Sequence, residues 1–222
     1  LHTIEASPVP LKNPASGRAI AAALARDYNP FWTKAQRKKA LLGEGFAEFY
    51  GDVIDLLLKH YGLRDPVILR VLALGAYVPG SRMSYILAGQ GSRVMPYALE
   101  LWRRGPNYNQ AEALSTLGLL VKRCRDRTLR APLVPRDRRE IAVILRQAAA
   151  NPQYIVRDSA VDALRWAGGP GDIGILRRVA AHDPVCVEFP HPPNICSDAR
   201  LAIRAIRRRT AKKKPGQTVP PR

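Results

Sequence analysis

The sequence predicts an all-α protein. Apolar residues recur at steps of three and four through most of the chain, and strand-like alternation is nowhere sustained. Turn dipeptides or Pro repeatedly precede Ala- and Leu-rich stretches that end at small residues, which is the punctuation of helices. The first helix is expected over Ala19–Arg26 (AIAAALAR), rich in Ala and downstream of Pro14. Thr33 can cap a second over Lys34–Leu42. A third, Glu44–His60, carries Phe46, Phe49, Val53, Leu56 and Leu57 on one stripe. Tyr28, Phe31, Trp32, Phe46, Phe49 and Tyr50 are assigned to packing of this N-terminal part. Further on, Asp65-Pro66 opens the helix of DPVILRVLALGAYVPG, and Asn151-Pro152 opens that of NPQYIVRDSAVDALRWAGG.

From Asp65 onward the pattern repeats. Ala113-Leu114 with Leu117-Gly118 has the spacing of Ala163-Leu164 with Ala167-Gly168, and Ala202, Ala205 and Ile206 echo Ala160, Ala163 and Leu164. Small Ala residues let helices approach, and Leu and Ile fill the seam between them. The stretch Val156-Arg157-x-x-Ala160-x-x-Ala163-Leu164-x-x-Ala167-Gly168, followed by Asp172, Ile175-Leu176 and Asp183-Pro184, resembles a nearly complete HEAT-like repeat. The resemblance covers about residues 105–210 best. It departs from the family pattern in an irregular period and in insertions at Arg123–Pro135 and Val185–Ile195. It implies a right-handed α-solenoid of HEAT-like helix pairs, a curved superhelix used mostly to bind proteins and sometimes nucleic acids. The expected organisation is an extended arm over 1–13, a divergent helical cap over 14–64, repeats over 65–209 and a basic tail over 210–222.

The 222 residues are 46% apolar, which excludes a wholly disordered chain. No apolar run approaches the roughly 18 residues of a membrane span. The net charge is +18, and Arg outnumbers Lys 27 to 9. Residues 1–100 carry 12 Lys/Arg against 8 Asp/Glu, and the remainder 24 against 10, so the charge gathers in the C-terminal half. Guanidinium groups suit anionic partners. Codon bias and the cover that Arg stems give apolar surface are the competing explanation. Residue 1 is Leu, read as a processed or trimmed end.

The principal candidate site is the segment KRCRDRTLRAPLVPRDRR. It holds Lys122, Arg123, Arg125, Arg127, Arg130, Arg136, Arg138 and Arg139 against Asp126 and Asp137. Cations at a helix C-terminus complement its dipole, which accounts for Lys122, Arg123 and Arg125 without any ligand. Arg136, Arg138 and Arg139 fall where a helix begins, where the dipole disfavours them, so phosphates, an acidic partner or acidic neighbouring helices must justify them. Arg200, Arg204, Arg207 and Arg208 line the last helix, followed by Lys212–Lys214, as a solvated terminal face would.

His182, Cys186, His191 and Cys196 admit three readings: a Cys186–Cys196 disulfide closing a Pro-rich insertion, two free thiols, or a tetrahedral metal site. The disulfide requires an oxidising, secreted or periplasmic compartment and leaves Cys124 as an odd helical thiol. Asp162 and Trp166, four apart on one helical face, invite comparison with HEAT-like glycosylases that excise alkylated bases. Their order and spacing do not reproduce that motif, and Trp166 falls where a repeat needs a core aromatic. No Ser-His-Asp arrangement, phosphate-binding Gly loop or carboxylate pair is present, and no cofactor is implied. The expected function is a non-catalytic scaffold or assembly subunit binding an acidic protein through a concave face and an Arg-rich edge. The alternative is a nucleic-acid-binding protein, including a base-excision enzyme. The two differ in whether the basic segment and the last-helix arginines share one surface.

Overall fold

The computed structural model describes residues 14–27, 57, 63–74, 83–129, 133–188 and 194–211. These are helical, with two short 3-10 turns and no strand among the described residues. Helix α1 spans Pro14–Asp27 and contains the expected Ala-rich stretch. Of the expected helices Lys34–Leu42 and Glu44–His60, only Leu57, a fully buried helical residue, is described. The aromatic residues assigned to N-terminal packing, the arm over 1–13 and the tail beyond Ala211 also lie outside the described residues.

Helix α2, Pro66–Leu74, begins where Asp65-Pro66 places it. Asp65 Oδ1 accepts the Val67 N–H at 2.8 Å, an N-cap, while its Oδ2 takes the Arg18 guanidinium of α1 at 2.7 Å. Arg18 first, and these backbone N–H groups after it, hold the Asp65 carboxyl below its ordinary range. Two helices escape the sequence reading: α3, Met83–Ala88, and α4, Met95–Arg104, linked by a 3-10 turn that Gly91 enters with φ 65°.

The remaining helices are α5 (Asn107–Arg125), α6 (Pro135–Ala148), α7 (Tyr154–Ala167), α8 (Ile173–His182), α9 (Pro184–Glu188) and α10 (Ile195–Ala211). Helix α7 is central, packed on α5, α6 and α10. Its buried face is Val156, Ala160, Val161, Ala163 and Leu164, the positions that carry the repeat resemblance. One apolar core runs from Ala21 to Ile206, with Leu114, Leu117 and Leu120 of α5 and Ala199, Ala202 and Ile203 of α10 on either side of α7.

The α5–α7 contact is backbone-close. A Cβ placed on Gly118 would lie 2.6 Å from the Ala163 Cβ and 2.8 Å from its Cα. The residues that meet are therefore Gly118 and Ala163, not the pairs that align by sequence spacing. One turn on, Lys122 reaches Trp166, so α5 and α7 run in the same direction. Gly168 at the end of α7 abuts Ile206 of α10. Three parallel helices thus bring their C-terminal ends side by side, with α6 returning the chain between the first two.

Arginine–aspartate pairs tie the connections to these helices. Arg146 of α6 bonds Asp172, whose other carboxylate oxygen accepts the Gly169 N–H at 2.7 Å, holding the turn after α7. Arg157 meets Asp183 in a two-pronged pair at 2.8 and 3.0 Å, and donates also to the Asn151 and Pro152 carbonyls. Asp183 caps α9 through the Val185 N–H. The side chains are 13% and 3% exposed, so this pair is desolvated, and both carboxylate oxygens and all three guanidinium nitrogens are engaged.

Two stability changes follow. Gly118→Val should cost about 2 kcal/mol, a fall in Tm of about 4–8 °C by thermal denaturation, because the added atoms meet backbone and α7 must move. Ala163→Gly in the same chain should recover part of it. Arg157→Ala should cost about 3 kcal/mol in urea unfolding, since it strands the buried Asp183 charge.

Candidate functional site

The long helix α5 carries the first basic group further than the sequence reading placed it. The expected insertion from Arg123 begins only at Asp126, and Lys122, Arg123 and Arg125 occupy the last helical turn. The helix closes in a Schellman motif: Thr128 N–H bonds the Arg123 carbonyl at 2.9 Å and Arg127 N–H the Cys124 carbonyl at 3.3 Å. Arg127 takes the left-handed position with φ 57°, where glycine is usual. Arg130 lies outside the described residues.

Arg136, Arg138 and Arg139 fall in the first turn of α6, as expected, and all three are exposed. The structure returns that turn to the end of α5: Arg138 Nη2 donates to Cys124 Sγ at 3.0 Å. The two halves of the basic segment therefore meet. Cys124 is half-buried rather than a core thiol.

Trp166 was expected in the core and is instead half-buried beneath cations. Lys122 Nζ lies 4.5 Å from the indole centroid, Arg165 Cζ 4.9 Å and Arg125 Cζ 5.8 Å. Each such contact is worth about 0.5–1 kcal/mol near the surface. Arg209, from the end of α10, donates to the Arg165 carbonyl at 2.6 Å and the Gly168 carbonyl at 2.8 Å, tying α10 to the C-terminus of α7. Burial, and then the nearby Arg125 charge, lower the proton affinity of Arg209. Of the last-helix arginines singled out by sequence, Arg200, Arg204, Arg207 and Arg208 are solvent-exposed, and Arg200 donates to the Ala180 carbonyl at 3.5 Å.

The resulting surface is under-neutralised. The last turns of α5, α7 and α10 contribute Lys122, Arg123, Arg125, Arg165, Arg208 and Arg209. Three helix ends supply about 1.5 negative charges. Asp126 pairs with Arg125 at 3.2 Å, and Asp198 acts on Arg165 through space. About 2.5 positive charges remain uncompensated. Arg165 and Arg209 were missed in the sequence; Arg165-Trp166 just ahead of a helix-ending glycine pair was the available signal.

The opposite character appears toward the N-terminal half of α7. Burial, then the charges of Asp198, Asp162 and Asp183, push the Asp158 carboxyl up to about 6. Asp198 is raised by burial and by Asp162, against the opposing Arg165. Among the described residues no group of His, Cys, Asp and Glu is arranged to hold a metal. A separate polar set, Asn109, Glu112 and Thr116, faces inward from α5, with Glu112 and Thr116 beside a small cavity between α2, α3, α4 and α5. Burial raises the Glu112 carboxyl against hydrogen bonds from Ser84, and both amide atoms of Asn109 lack a partner.

Cys186 and Cys196 form a disulfide, joining α9 to the first turn of α10. That consumes both thiols of the alternative metal reading, and His182 is exposed at the end of α8. Asn194 and Ser197 cap α10 reciprocally: Ser197 N–H bonds Asn194 Oδ1 at 2.9 Å and Asn194 N–H bonds Ser197 Oγ at 3.1 Å.

The raised Asp158 carries a signed pH dependence. Its native form binds a proton between its ordinary value of 3.8 and about 6, where the unfolded chain has released it. Its contribution therefore favours folding at low pH and is lost as pH rises to about 6. Asp158→Asn should stabilise the chain at pH 7, and the gain should shrink on going to pH 4 in parallel thermal melts. An equal gain at both pH values would contradict the assignment.

Compared with known proteins, the chain matches no family model, no curated protein and no solved structure.

Proposed function

We propose that the chain is a non-catalytic binding scaffold, a HEAT-like α-solenoid subunit that receives an acidic protein partner on its concave face and Arg-rich edge. The observation that supports this most is the under-neutralised basic surface at the aligned ends of α5, α7 and α10. Helices locked by close packing and buried ion pairs lose little ordering entropy on binding, and the arginines supply charge complementarity. The Cys186–Cys196 disulfide belongs to an oxidising compartment, which favours a protein partner over the nucleic acids of reducing compartments.

One observation favours the second reading, nucleic-acid binding. Lys122, Arg125 and Arg165 gather on one aromatic ring, Arg209 of the last helix binds the Arg165 carbonyl, and Arg138 from the far side of the basic segment reaches Cys124 at the end of α5. A base-excision chemistry would further require Asp162, which is exposed one turn before Trp166. The indole lies instead against the cations Lys122, Arg125 and Arg165.

Fluorescence anisotropy with mixed-sequence DNA and RNA, at low and moderate salt, separates the two. The protein-partner reading expects weak binding that Arg136→Ala, Arg138→Ala and Arg139→Ala together leave unchanged. The same triple variant should lose a co-purifying acidic protein retained by the native chain. Submicromolar binding that falls steeply with salt and weakens in the triple variant would replace it with the nucleic-acid reading.

A further inference from the structure

The cations around Trp166 outnumber what the fold requires of them. Each helix C-terminus offsets about half a positive charge, and Arg209 is occupied by two carbonyls. Arg125 has Asp126. The side chains of Lys122 and Arg165 make no hydrogen bond or ion pair among the described residues, with Asp198 acting on Arg165 only through space, yet both are drawn to one ring from different helices. Lys122 Nζ and Arg165 Cζ, 4.5 and 4.9 Å from the same centroid, lie no more than about 9.4 Å apart. The indole holds like charges together that would otherwise repel, and a multivalent anion laid across them relieves that repulsion.

We infer that Lys122, Arg125 and Arg165, gathered on Trp166, form a binding site for a compact oligophosphate of two or three linked phosphoryl groups. The charge density of the ligand selects this class. Linked phosphoryl groups bring several negative charges to cations contributed by two helices at once, where orthophosphate brings a single phosphoryl group. A carboxylate-bearing peptide spreads single charges along its backbone and concentrates fewer on this area. Arg165 and Arg125 offer planar forks to phosphoryl oxygens, and Lys122 a point charge. This site lies within the basic surface proposed above and takes Lys122, Arg125 and Arg165 from it, but it rests on the contacts at Trp166 and not on that surface having a protein partner.

The test is isothermal titration calorimetry of the full chain at low ionic strength with inorganic tripolyphosphate, pyrophosphate and orthophosphate. Tripolyphosphate should bind at least tenfold more tightly than orthophosphate. Lys122→Gln with Arg165→Gln should weaken it at least tenfold, and Lys122→Gln alone should weaken it measurably should the double variant not fold. Arg204→Gln with Arg207→Gln, which removes the same charge from the exposed face of α10, should leave affinity within twofold. Tripolyphosphate should also change tryptophan emission in the native chain but not in Trp166→Phe, which retains Trp32 and Trp102. Equal losses in the two double variants, equal affinity for ortho- and tripolyphosphate, or an emission change that survives Trp166→Phe would each overturn the site. So would single-stranded DNA that binds and is not displaced by tripolyphosphate.

Discussion

The close approach of α5 to α7 at Gly118 and Ala163 governs the rest of the architecture. With no side chain on one helix and a single methyl on the other, the two backbones pack almost in contact, and the register of everything beyond is set from that point. One turn further on, that register puts Lys122 and Arg125 over Trp166. The α7–α10 contact then places Arg209 against the carbonyls at the end of α7. A residue with no chemistry of its own thus determines where the charged chemistry gathers.

The same packing polarises α7. Its own Asp158 and Asp162 lie in its middle turns, close to Asp198 of α10, and its C-terminal end lies among cations. The cations at its last turn complement the helix dipole, whereas the carboxylates lie beyond its first turn, where the effect of the dipole has fallen off. Packing crowds the carboxylates until Asp158 holds its proton toward neutral pH, and it gathers more cations than three helix ends neutralise. Crowding of like charge costs stability, and at the basic end the indole offsets part of it.

Helix class and the larger boundaries were legible because they depend on local signals. Pro14, Asp65-Pro66 and Gly168-Gly169 act within a turn of where they stand, and α1, α2 and α7 begin or end accordingly. The pairing of Arg157 with Asp183 was visible only as pattern residues of a repeat, and its geometry adds the reason: one guanidinium holds a buried carboxylate and two loop carbonyls together. Helices α3 and α4 were not legible. Short apolar runs separated by Gly89, Gly91 and Gly105 carry too little periodicity to distinguish a helix from a loop. Of three open readings for Cys186 and Cys196, the fold selects the disulfide because α9 and α10 bring the two residues within 6.1 Å between Cα atoms, a proximity that spacing along the chain does not encode.

Trp166 shows why the candidate site was only half legible. A tryptophan near the end of an Ala- and Leu-rich helix is ordinarily a packing residue, and its own helix offers no reason to read it otherwise. Its role depends on Lys122 and Arg125, which lie on another helix and arrive through the Gly118 contact. The basic segment, in turn, could be seen as a run of charge but not as a surface, because its halves flank a loop and meet only through Arg138 and Cys124. Charge in a sequence is additive, whereas a binding surface depends on which charges share a face. Here that sharing is set by helix register, so arginines adjacent in sequence such as Arg208 and Arg209 separate into a solvent-facing residue and a structural tie. Residues far apart in the chain, Lys122, Arg165 and Arg209, become one neighbourhood.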